Sequence, residues 1–479
     1  MRYPIYMIKQ GIRNEEKLFD DIVSLCKRRG FVFQSSEIYG GFSGVYDYGP
    51  LGAMLKRNIE KSWLKKFVET RDDMYQLDSS ILMHGNVWKA SGHAEGFADS
   101  IVECSECNTK WKIDSILESQ ELVKGAYMCP NESCDEPLGS VDDIKKRANS
   151  FNLMLATKVG AFDESSLETY LRPETAQGIF INFKNILDSM HPKMPFGVAQ
   201  IGKAFRNEIT PRNFLFRVRE FDQMEIEYFV EPKRADEYFE YWRAEIMEWL
   251  VSLGIDMNKV SEYETPKDDL AHYSDRTIDF QFEYPFGCDN KTGEYPKREL
   301  CGLANRTDHD LIKHGKASGI SMEYMDPITN EKYVPYIIEP SIGIGRIILA
   351  LLCSVYHEEI TSSIDDGEEK RVYLKLPLTL APYIVAVSPL LKNKPELVEK
   401  ARHVYRTLKD AFGNVTWDDN GNIGKRYRRQ DEIGTPFCVV VDFDSLDKKT
   451  VTIRHRDTMK QDIVMIDDVT KYIASQIGG

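Results

Sequence analysis

Two apolar stretches between residues 196 and 230 constrain the fold more than any other feature of the sequence. FGVAQIG and FRVREFDQMEIEYFV alternate apolar and polar positions in the manner of neighbouring antiparallel strands. The polar residues 210–213 form a turn between them. This arrangement places Arg206 and Arg217 on adjacent strands, where each would be costly to bury without an anionic partner.

Two interpretations of this arginine pair remain open from the strands alone. Glu208 and Glu220 could satisfy both guanidinium groups as ion pairs along a sheet edge, which is the commoner arrangement. Alternatively, the two arginines and Phe216 would offer positive charge for phosphates and an aromatic face for a base.

Another polar segment, residues 338–346, favours an anion site. It combines the end of a strand, the small-residue turn Gly343-x-Gly345-Arg346 and the start of a helix. Such a turn directs backbone N–H groups and an arginine at a bound anion. The segment is not a P-loop, because no Lys-Ser/Thr pair follows, and it lacks the three glycines of a dinucleotide fingerprint.

Three glutamates complete the polar positions found in apolar surroundings. Glu174 follows a predicted strand and Glu225 lies within one, so together they could enclose a small ammonium group. Glu299 could hold Mg²⁺ on a triphosphate. For each residue, ordinary surface or ion-pair duty is the alternative, and spacing alone does not separate the two.

Four of the nine cysteines cluster in a polar segment, residues 104–150, which separates two apolar regions. The pairs are Cys104-x-x-Cys107 and Cys129-x₄-Cys134, and four thiolates satisfy tetrahedral Zn²⁺. The second spacing is longer than the usual one, so four ordinary reduced cysteines are the alternative. A catalytic zinc is disfavoured, because no coordination position would stay open.

Charge is distributed unevenly along the chain. The net charge of −14 argues against a nucleic-acid partner for the chain taken as a whole. Residues 380–479, however, contain 16 Lys and Arg against 14 Asp and Glu. Within them, residues 425–429 (KRYRR) place four cations and one aromatic side by side. This run is either a solvated basic turn or an RNA-facing stripe.

The location of the protein in the cell is predicted from exclusions. No apolar run approaches the ~18–20 residues of a membrane-spanning helix. The first residues are not typical of a signal peptide. The odd number of scattered cysteines argues against a disulfide framework, so a reduced cytoplasmic compartment is expected.

Hydrophobic periodicity predicts helices over residues 14–29, 49–70 and 234–253, and alternating strands and helices beyond residue 380. Residues 362–370 are polar and acidic and are interpreted as a loop or linker. The domains predicted are a catalytic domain in two parts, an insertion, a linker and an α/β module: 1–103, 104–150, 151–361, 362–377 and 378–479.

Several long blocks together carry a resemblance to a known family. FRNEITPRNFLFRVREFDQMEIEYF is similar to motif 2 of class II aminoacyl-tRNA synthetases, YIIEPSIGIGRIILAL to motif 3, and GPLGAMLKRNIEKSWLKKF to the motif 1 helix of the dimer interface. RPETAQGIF, EIYGGFSGVYDYGPLG, GKRYRRQDEIGTPFCVVVDFDS and VTIRHRDTMKQ resemble hallmarks of homodimeric glycyl-tRNA synthetases. The resemblance extends from about residue 14 to 475.

The resemblance implies an α+β fold with an antiparallel catalytic sheet, a zinc-knuckle-like insertion and a C-terminal α/β anticodon-binding domain. It also implies a homodimer that joins glycine, through glycyl-adenylate made with Mg²⁺ and ATP, to the 3′ end of glycine tRNA. Lys425, Arg426, Tyr427, Arg428 and Arg429 become the expected tRNA contacts. The expected metal ligands are Cys104, Cys107, Cys129 and Cys134.

By motif match, the resemblance also implies the site residues. Arg206, Arg346 and Glu299 are the expected catalytic residues. The ATP site would comprise Arg206, Asn207, Glu208, Phe216, Arg217, Val218, Arg219, Glu220, Phe221, Glu299, Leu300, Gly343, Ile344, Gly345 and Arg346. The glycine site would comprise Glu174, Phe221, Asp222, Gln223, Met224, Glu225, Glu339, Pro340, Ser341, Ile342 and Gly343.

Two alternatives remain open from the sequence. A synthetase-like binding module without catalysis should have lost the arginines of motifs 2 and 3, yet Arg206, Arg217 and Arg346 are all present. A class II synthetase for threonine, proline or serine is disfavoured only by the resemblance of RPETAQGIF and of the segment around Glu225.

Overall fold

Helices and strands alternate along the N-terminal part of the chain in the computed structural model. The structure describes residues 7–10, 15–119, 122–123, 125–131, 133–160, 167–271, 273–289, 292–363 and 367–477. The first elements are β1 (Met7–Gln10), α1 (Glu15–Arg29), β2 (Val32–Gln34), β3 (Tyr46–Tyr48), α2 (Pro50–Leu64), β4 (Met74–Gln76), α3 (Gly85–Ala90) and α4 (His93–Gly96). The helices predicted over 14–29 and 49–70 are confirmed as α1 and α2, although Asn14 lies outside the described residues.

The cysteine-bearing insertion is built from short elements. They are β5 (Ala98–Glu103), β6 (Lys110–Lys112), α5 (Ile113–Ser119), β7 (Tyr127–Met128), β8 (Pro137–Gly139), α6 (Val141–Lys146) and β9 (Asn149–Asn152). Strands β6, β5 and β9 form an antiparallel sheet. A small apolar cluster that includes Val102, Ile116 and Ile144 packs beside the cysteines.

The central elements follow the insertion. They are β10 (Leu155–Val159), β11 (Leu167–Leu171), α7 (Ala176–Met190), β12 (Phe196–Phe205), β13 (Glu220–Val230), α8 (Ala235–Ser252), β14 (Val260–Glu264), β15 (Arg276–Glu283), β16 (Lys297–Thr307), α9 (His309–Ser318), β17 (Tyr324–Met325), β18 (Lys332–Tyr333), β19 (Tyr336–Gly343), α10 (Ile344–Val355), β20 (Tyr356–Ser363) and β21 (Gly367–Leu374).

A seven-stranded sheet organises this central part, in the order β14-β15-β16-β19-β13-β12-β4. All neighbours are antiparallel except β4 and β12. The predicted antiparallel pairing is confirmed, with Phe205 opposite Glu220. The prediction that Arg206 and Arg217 lie on these strands is wrong, because β12 ends at Phe205 and β13 begins at Glu220, so both arginines belong to the connection between the strands. The antiparallel catalytic sheet expected from the resemblance is therefore present.

One face of this sheet is covered by helices because alternate strand residues are apolar. Met224, Ile226 and Tyr228 on β13 point into a core shared with α2, α8 and α10. The motif 1 helix contributes Leu55, Ile59 and Trp63, all fully buried there. The polar residues at positions between these face the other side of the sheet.

The C-terminal part forms a second, mixed sheet. Its elements are β22 (Val385–Pro389), α11 (Pro395–Phe412), β23 (Val415–Trp417), α12 (Ile423–Glu432), β24 (Phe437–Val441), α13 (Phe443–Asp447), β25 (Thr450–His455), β26 (Gln461–Met465) and α14 (Val469–Ile477). The strand order is β23-β22-β24-β25-β26, parallel around β22 and antiparallel beyond β24. The predicted α/β module is confirmed.

The loop predicted over residues 362–370 is wrong for most of its length. Strands β20 and β21 pair as a hairpin, with Ser363 opposite Gly367, while residues 364–366 lie outside the described residues. Polar composition misled here because β20 pairs with β1 on one side and with β21 on the other, and the backbone hydrogen bonds of this small sheet do not depend on apolar side chains. The division of the chain into domains stays a prediction.

The hairpin carries a buried charge chain into the C-terminal domain. The Arg371 guanidinium on β21 donates to the carboxylates of Glu359 and Asp431, and Asp431 on α12 also accepts from Arg454 at 2.8 Å. All four side chains are buried. Nearby, the Asn58 amide of α2 donates to the carbonyl of Leu380 at 3.2 Å. The two domains are therefore joined by specific polar contacts.

Within the described ranges, no helix is both long and apolar enough to cross a lipid bilayer.

Candidate active site

The open face of the central sheet gathers the predicted glycine-site side chains. In the strand register, Glu225 of β13 lies opposite Ser341 of β19, and Ser341 lies opposite Gly302 of β16. Because strand side chains alternate, Gln223, Glu225 and Ser341 emerge on the same face. They line a cavity of about 290 Å³ together with Glu174 and Glu339, as the motif match implies.

Glu225 is held by a closed set of hydrogen bonds. Its carboxylate accepts from the backbone N–H of Thr175 at 2.9 Å and from the hydroxyl of Ser341 at 2.9 Å. The Gln223 amide donates to it as well, and to the Ser341 oxygen at 3.1 Å. Burial and the nearby charge of Glu174 raise the pKa of Glu225. The three side chains therefore interlock and fill the floor of the cavity.

Glu174 has a different environment on the opposite wall. Its carboxylate lies 3.5 Å from His93 Nε2 and accepts from the Gln177 amide at 2.9 Å. Burial alone would raise the pKa of Glu174, but His93 and Arg306 outweigh it and lower this pKa. Glu174 is consequently ionised and able to attract an ammonium group.

Arg306, which the sequence did not single out, is the central cation of this region. Only 2% of its surface is exposed. Its guanidinium contacts Asp310 in a bidentate manner, at 2.8 and 3.0 Å, and donates to Glu339. It also lies 3.9 Å from Glu174. A strand arginine followed four residues later by an aspartate is a visible signal, but it is too common to mark a site.

Glu227 is the second residue that sequence reasoning missed. It lies on the same face of β13 as Glu225, is fully buried, and neither carboxyl oxygen has a hydrogen-bond partner among the described residues. Burial and, to a smaller extent, Glu339 raise the pKa of Glu227 well above its usual range. Burial without a hydrogen-bond partner therefore favours the neutral, protonated form of Glu227.

The Glu227→Gln variant should show a weaker loss of stability at high pH than the wild type. An unfolded Glu titrates near about pH 4.3, so above that pH the folded state binds one proton more than the unfolded state. Stability then falls as pH rises toward the raised pKa, by up to about 1.4 kcal/mol per pH unit from this group. Thermal unfolding of both proteins at pH values between about 5.5 and 8.5 measures this pH dependence of stability.

Glu231→Gln, just beyond the end of β13 and partly exposed, is the matched control and should follow the wild type. Parallel curves for wild type and Glu227→Gln would mean that Glu227 is ionised in the folded protein.

A second cavity, of about 380 Å³, adjoins the first and collects the predicted ATP-site cations. Arg206, Arg217 and Arg346 line it together with the rings of Phe216 and Phe221. Glu208, Val218, Glu299, Gly343 and Gly345 are also on its walls. Arg206, Gln223, Glu299 and Ser341 line both cavities, so the two form one continuous site.

The arginines of this cavity are held in different ways. Arg346 pairs with Glu299 at 2.8 Å and its guanidinium lies 4.8 Å from the Phe216 ring centre. Arg346 also lowers the pKa of Glu299. Arg206 donates to the Pro173 carbonyl at 3.1 Å and lies 5.4 Å from both the Phe97 and the Phe221 ring. The sequence left open that Arg206 and Arg217 form ion pairs with Glu208 and Glu220. Neither arginine forms such a pair among the described residues.

Several motif-matched residues lie away from these walls. The side chains of Met224, Leu300, Ile342 and Ile344 belong to the core beneath the sheet, so these residues offer only backbone groups to a ligand. Asp222 pairs with Lys56 of α2 at 2.7 Å. Lys203 pairs with Glu220 at 3.1 Å. Asn207, Arg219 and Pro340 are likewise absent from the walls of both cavities.

The four predicted metal ligands converge. The Sγ atoms of Cys104, Cys107, Cys129 and Cys134 all lie within 4.8 Å of one another. The closest pairs are Cys104–Cys134 at 3.7 Å and Cys107–Cys129 at 3.6 Å. Tetrahedral Zn–S bonds of about 2.3 Å require sulfur separations of about 3.8 Å. The longer spacing of the second pair does not prevent this convergence.

The basic run 425–429 lies on helix α12 and not in a turn. Arg426 is buried and donates to the carbonyls of Pro389, Asp419 and Gly421. Its expected role as a tRNA contact therefore has no structural support. Arg429 is bound by Asp418, at 2.6 Å. Only Lys425 and Arg428 of this run are exposed.

Comparison with known proteins agrees with this fold. Residues 157–355 match the family described as tRNA synthetase class II core domain (G, H, P, S and T). Residues 384–476 match the anticodon binding domain. The fold, the paired cavities and these matches define a class II aminoacyl-tRNA synthetase.

Full-length relatives narrow the class further. The chain is 48% identical to the glycine–tRNA ligase of Borrelia hermsii, over 96% of this chain and 97% of that protein. Identity to the glycine–tRNA ligase of Alkaliphilus oremlandii is 45%, over 96% of this chain and 99% of the relative. Identity to the glycine–tRNA ligase of Thermobifida fusca is 44%, over 97% of this chain and 99% of the relative. The chain belongs to the glycine–tRNA ligase family.

Proposed function

We propose that this chain activates glycine with ATP to form glycyl-adenylate and transfers glycine to the 3′ end of glycine tRNA. The observation that carries the proposal is the junction of the two cavities. One is rich in arginines and aromatic rings and suits a nucleoside triphosphate; the other is small and lined by carboxylates. Arg206, Gln223, Glu299 and Ser341 lie where the two substrates would meet.

The reaction at this junction needs no catalytic base, because the glycine carboxylate is already ionised. A carboxylate oxygen bonds to the α-phosphorus while the bond between the α- and β-phosphates breaks, and its electrons leave with pyrophosphate. Arg206 and Arg346 neutralise the charge that develops at the α-phosphate, and the cavity walls hold the reactants in line.

Magnesium fits the carboxylates at the junction. Glu299 and Asp279 both line the glycine cavity, and burial together with the charge of Glu299 raises the pKa of Asp279 to about 6. A cation brought with the ATP phosphates would favour the ionised form of Asp279 beside Glu299. The ion would supply additional neutralisation of the triphosphate.

Selectivity for glycine follows from the interlocked floor of the cavity. The ammonium group is attracted by the ionised Glu174 and by Glu225. Gln223 and Ser341 are bound to Glu225 and to one another, so they cannot move aside without breaking hydrogen bonds. An amino acid with a larger side chain is excluded by clash.

Amino-acid-dependent exchange of pyrophosphate into ATP tests this function directly. Glycine alone among the standard amino acids should support exchange by the purified chain. Exchange with threonine, proline or serine would establish a different synthetase, and no exchange with any amino acid would favour a binding module.

The C-terminal domain would bind glycine tRNA through its anticodon region. The match to the anticodon binding domain supports this role. On α12, Lys425 and Arg428 are the exposed cations of the basic run and are the proposed RNA contacts. Tyr427 is partly buried, with Arg454 lying 4.7 Å from its ring centre.

A homodimer is supported by an exposed apolar segment close to the motif 1 helix. Ile38 and Tyr39 are more than four-fifths exposed, and Phe42 is 58% exposed. Adjacent exposed aromatic and aliphatic side chains are typical of protein interfaces. Sedimentation of the purified chain at twice the monomer mass is the expected result.

A structural zinc ion is proposed for the four-cysteine cluster, because the sulfur separations fit tetrahedral coordination. Cys104, Cys107, Cys129 and Cys134 would hold the ion, which would order an insertion that has only a small apolar core. The remaining cysteines are also free thiols, in keeping with the proposed cytoplasmic location.

The Cys129→Ser variant should lose the zinc of the purified protein, from about one ion per chain to a small fraction of that. Elemental analysis of protein prepared without added metal measures the content. Cys288→Ser is the matched control, because Cys288 is exposed and outside the cluster. Equal zinc in both variants would contradict the assignment.

A further inference from the structure

The inner end of the β5–β6 hairpin reaches the ATP cavity. Asp99 of β5 and Lys112 of β6 line this cavity together with the motif 2 and motif 3 arginines. Neither residue belongs to a synthetase motif identified in the sequence. The insertion therefore contributes a charged pair to the wall of the catalytic site.

The position of the Lys112 ammonium is well defined. Lys112 lies opposite Ile101 in the register, which brings its side chain onto the same face as Asp99. Its Nζ atom lies 2.7 Å from Asp99 Oδ1 and 4.0 Å from Asp114 Oδ2. About a third of the side chain is exposed, so the ammonium is held at the cavity mouth and remains accessible.

The cavity has two ends with different surroundings. Arg206, Gln223, Glu299 and Ser341 mark the end that opens into the glycine cavity. Asp99, Lys112, Glu208 and Arg217 mark the other end, because they also line a small adjoining space beside residues 209–212. The cavity thus extends from the glycine site to the insertion.

The position of the α-phosphate and the charges at the two ends together indicate how ATP lies in the cavity. The α-phosphate must be at the glycine end, since the glycine carboxylate attacks it. The α-phosphate joins adenosine on one side to the β- and γ-phosphates on the other, and the cations at the insertion end, Lys112 and Arg217, favour the phosphate side there. A compact ammonium and a guanidinium bind phosphate oxygens well, whereas the aromatic rings are available to the base.

We propose that Lys112, held by Asp99, binds the β- and γ-phosphates of ATP and the departing pyrophosphate. The inference rests on the proposed glycine activation. It also gives the insertion a direct part in that reaction. The hairpin has Lys112 and Asp99 at its base and the Cys104–Cys107 turn at its tip, so order at the cysteine cluster supports the phosphate contact.

Steady-state exchange kinetics of the Lys112→Ala variant test the proposal. We expect the KM for ATP to rise by about tenfold, the loss of one charge-assisted phosphate contact at a partly exposed site. The KM for glycine and the affinity for glycyl sulfamoyl adenosine, which lacks the β- and γ-phosphates, should change less than twofold. Lys112→Arg should recover most of the ATP effect.

Lys110→Ala is the matched control. Lys110 lies on the same strand and face, pairs with Glu103 at 3.8 Å and does not line the ATP cavity. The Lys110→Ala variant should leave the KM for ATP, the KM for glycine and the affinity for the analogue unchanged.

Three outcomes would overturn the proposal: a KM for ATP within twofold of the wild type, parallel changes in ATP, glycine and analogue binding, or an effect confined to the KM for tRNA. Exchange by the wild type with glycine decides the proposed function separately.

Discussion

The Arg206→Ala variant should lose glycine-dependent pyrophosphate exchange by about 10²–10³-fold, the usual cost of removing one preorganised charge from a transition state. Arg206 lines both cavities, so under the proposed function its guanidinium would lie where the α-phosphate and the glycine carboxylate meet. No other side chain of the described site combines that position with a positive charge, because Arg346 lines only the ATP cavity. The loss should appear mainly in kcat, since the charge that Arg206 stabilises develops during the reaction.

Folding should survive this substitution. The Arg206 side chain makes one hydrogen bond within the described residues, to the Pro173 carbonyl, and its removal leaves no buried carboxylate without a hydrogen-bond partner. Thermal unfolding of Arg206→Ala is therefore expected to match that of Arg243→Ala, a surface arginine paired with Glu240 and Glu262 on α8 and β14. Exchange activity in Arg206→Ala equal to that in Arg243→Ala would refute the assignment of the site.

The second large effect is expected at Arg306, where the Arg306→Leu variant should destabilise the catalytic domain by about 3–5 kcal/mol. The cause is the set of carboxylates left behind. Asp310 and Glu339 would lose their buried cation, and Glu174 would lose the guanidinium that lies 3.9 Å from it. Glycine activation should be lost even below the unfolding temperature, because Glu174 and Glu339 both line the glycine cavity.

Denaturant unfolding followed by tryptophan fluorescence measures this loss, since Trp63, Trp88, Trp242 and Trp249 are buried in the catalytic domain. Arg276→Leu is the matched control: Arg276 also pairs with two carboxylates, Glu240 and Glu264, but at the surface. It should cost no more than about 1 kcal/mol. Arg306→Lys should fold better than Arg306→Leu yet bind glycine weakly, because an ammonium cannot form the bidentate contact with Asp310. Similar unfolding of Arg306→Leu and Arg276→Leu would show that Arg306 is not essential to the cluster.

The class of fold was predicted through the resemblance of the long motifs to a known family, and the alternating stretches between residues 196 and 230 predicted the antiparallel pair at its centre. The sequence also predicted which strands carry the site, since Glu225 and Ser341 stand in motifs. It could not predict which members of a motif face the ligand. Motif matching selects consecutive residues, whereas a strand presents every second one, so Met224 and Ile342 fell into the core.

The burial of individual charged side chains is the other feature that could not be predicted from the sequence. Arg306 and Arg426 look alike in the sequence, as strand or helix cations among polar neighbours. The structure buries both, one against carboxylates and the other against backbone carbonyls. The packing of elements distant in the sequence decides whether such a side chain is buried, because the partners of Arg306 come from β19, α9 and the segment before α7. Glu227 shows the same limit, since its lack of partners depends on the neighbouring strands.

The charge chain from Glu359 through Arg371 and Asp431 to Arg454 has a consequence for substrate selection by length. Separating the domains would leave buried charges without partners, so the distance between α12 and the central sheet is fixed. An RNA held on α12 then reaches the ATP cavity only if its own span equals that distance. Under the proposed function, the protein therefore selects its tRNA by the distance between the anticodon and the 3′ end, in addition to recognising its bases.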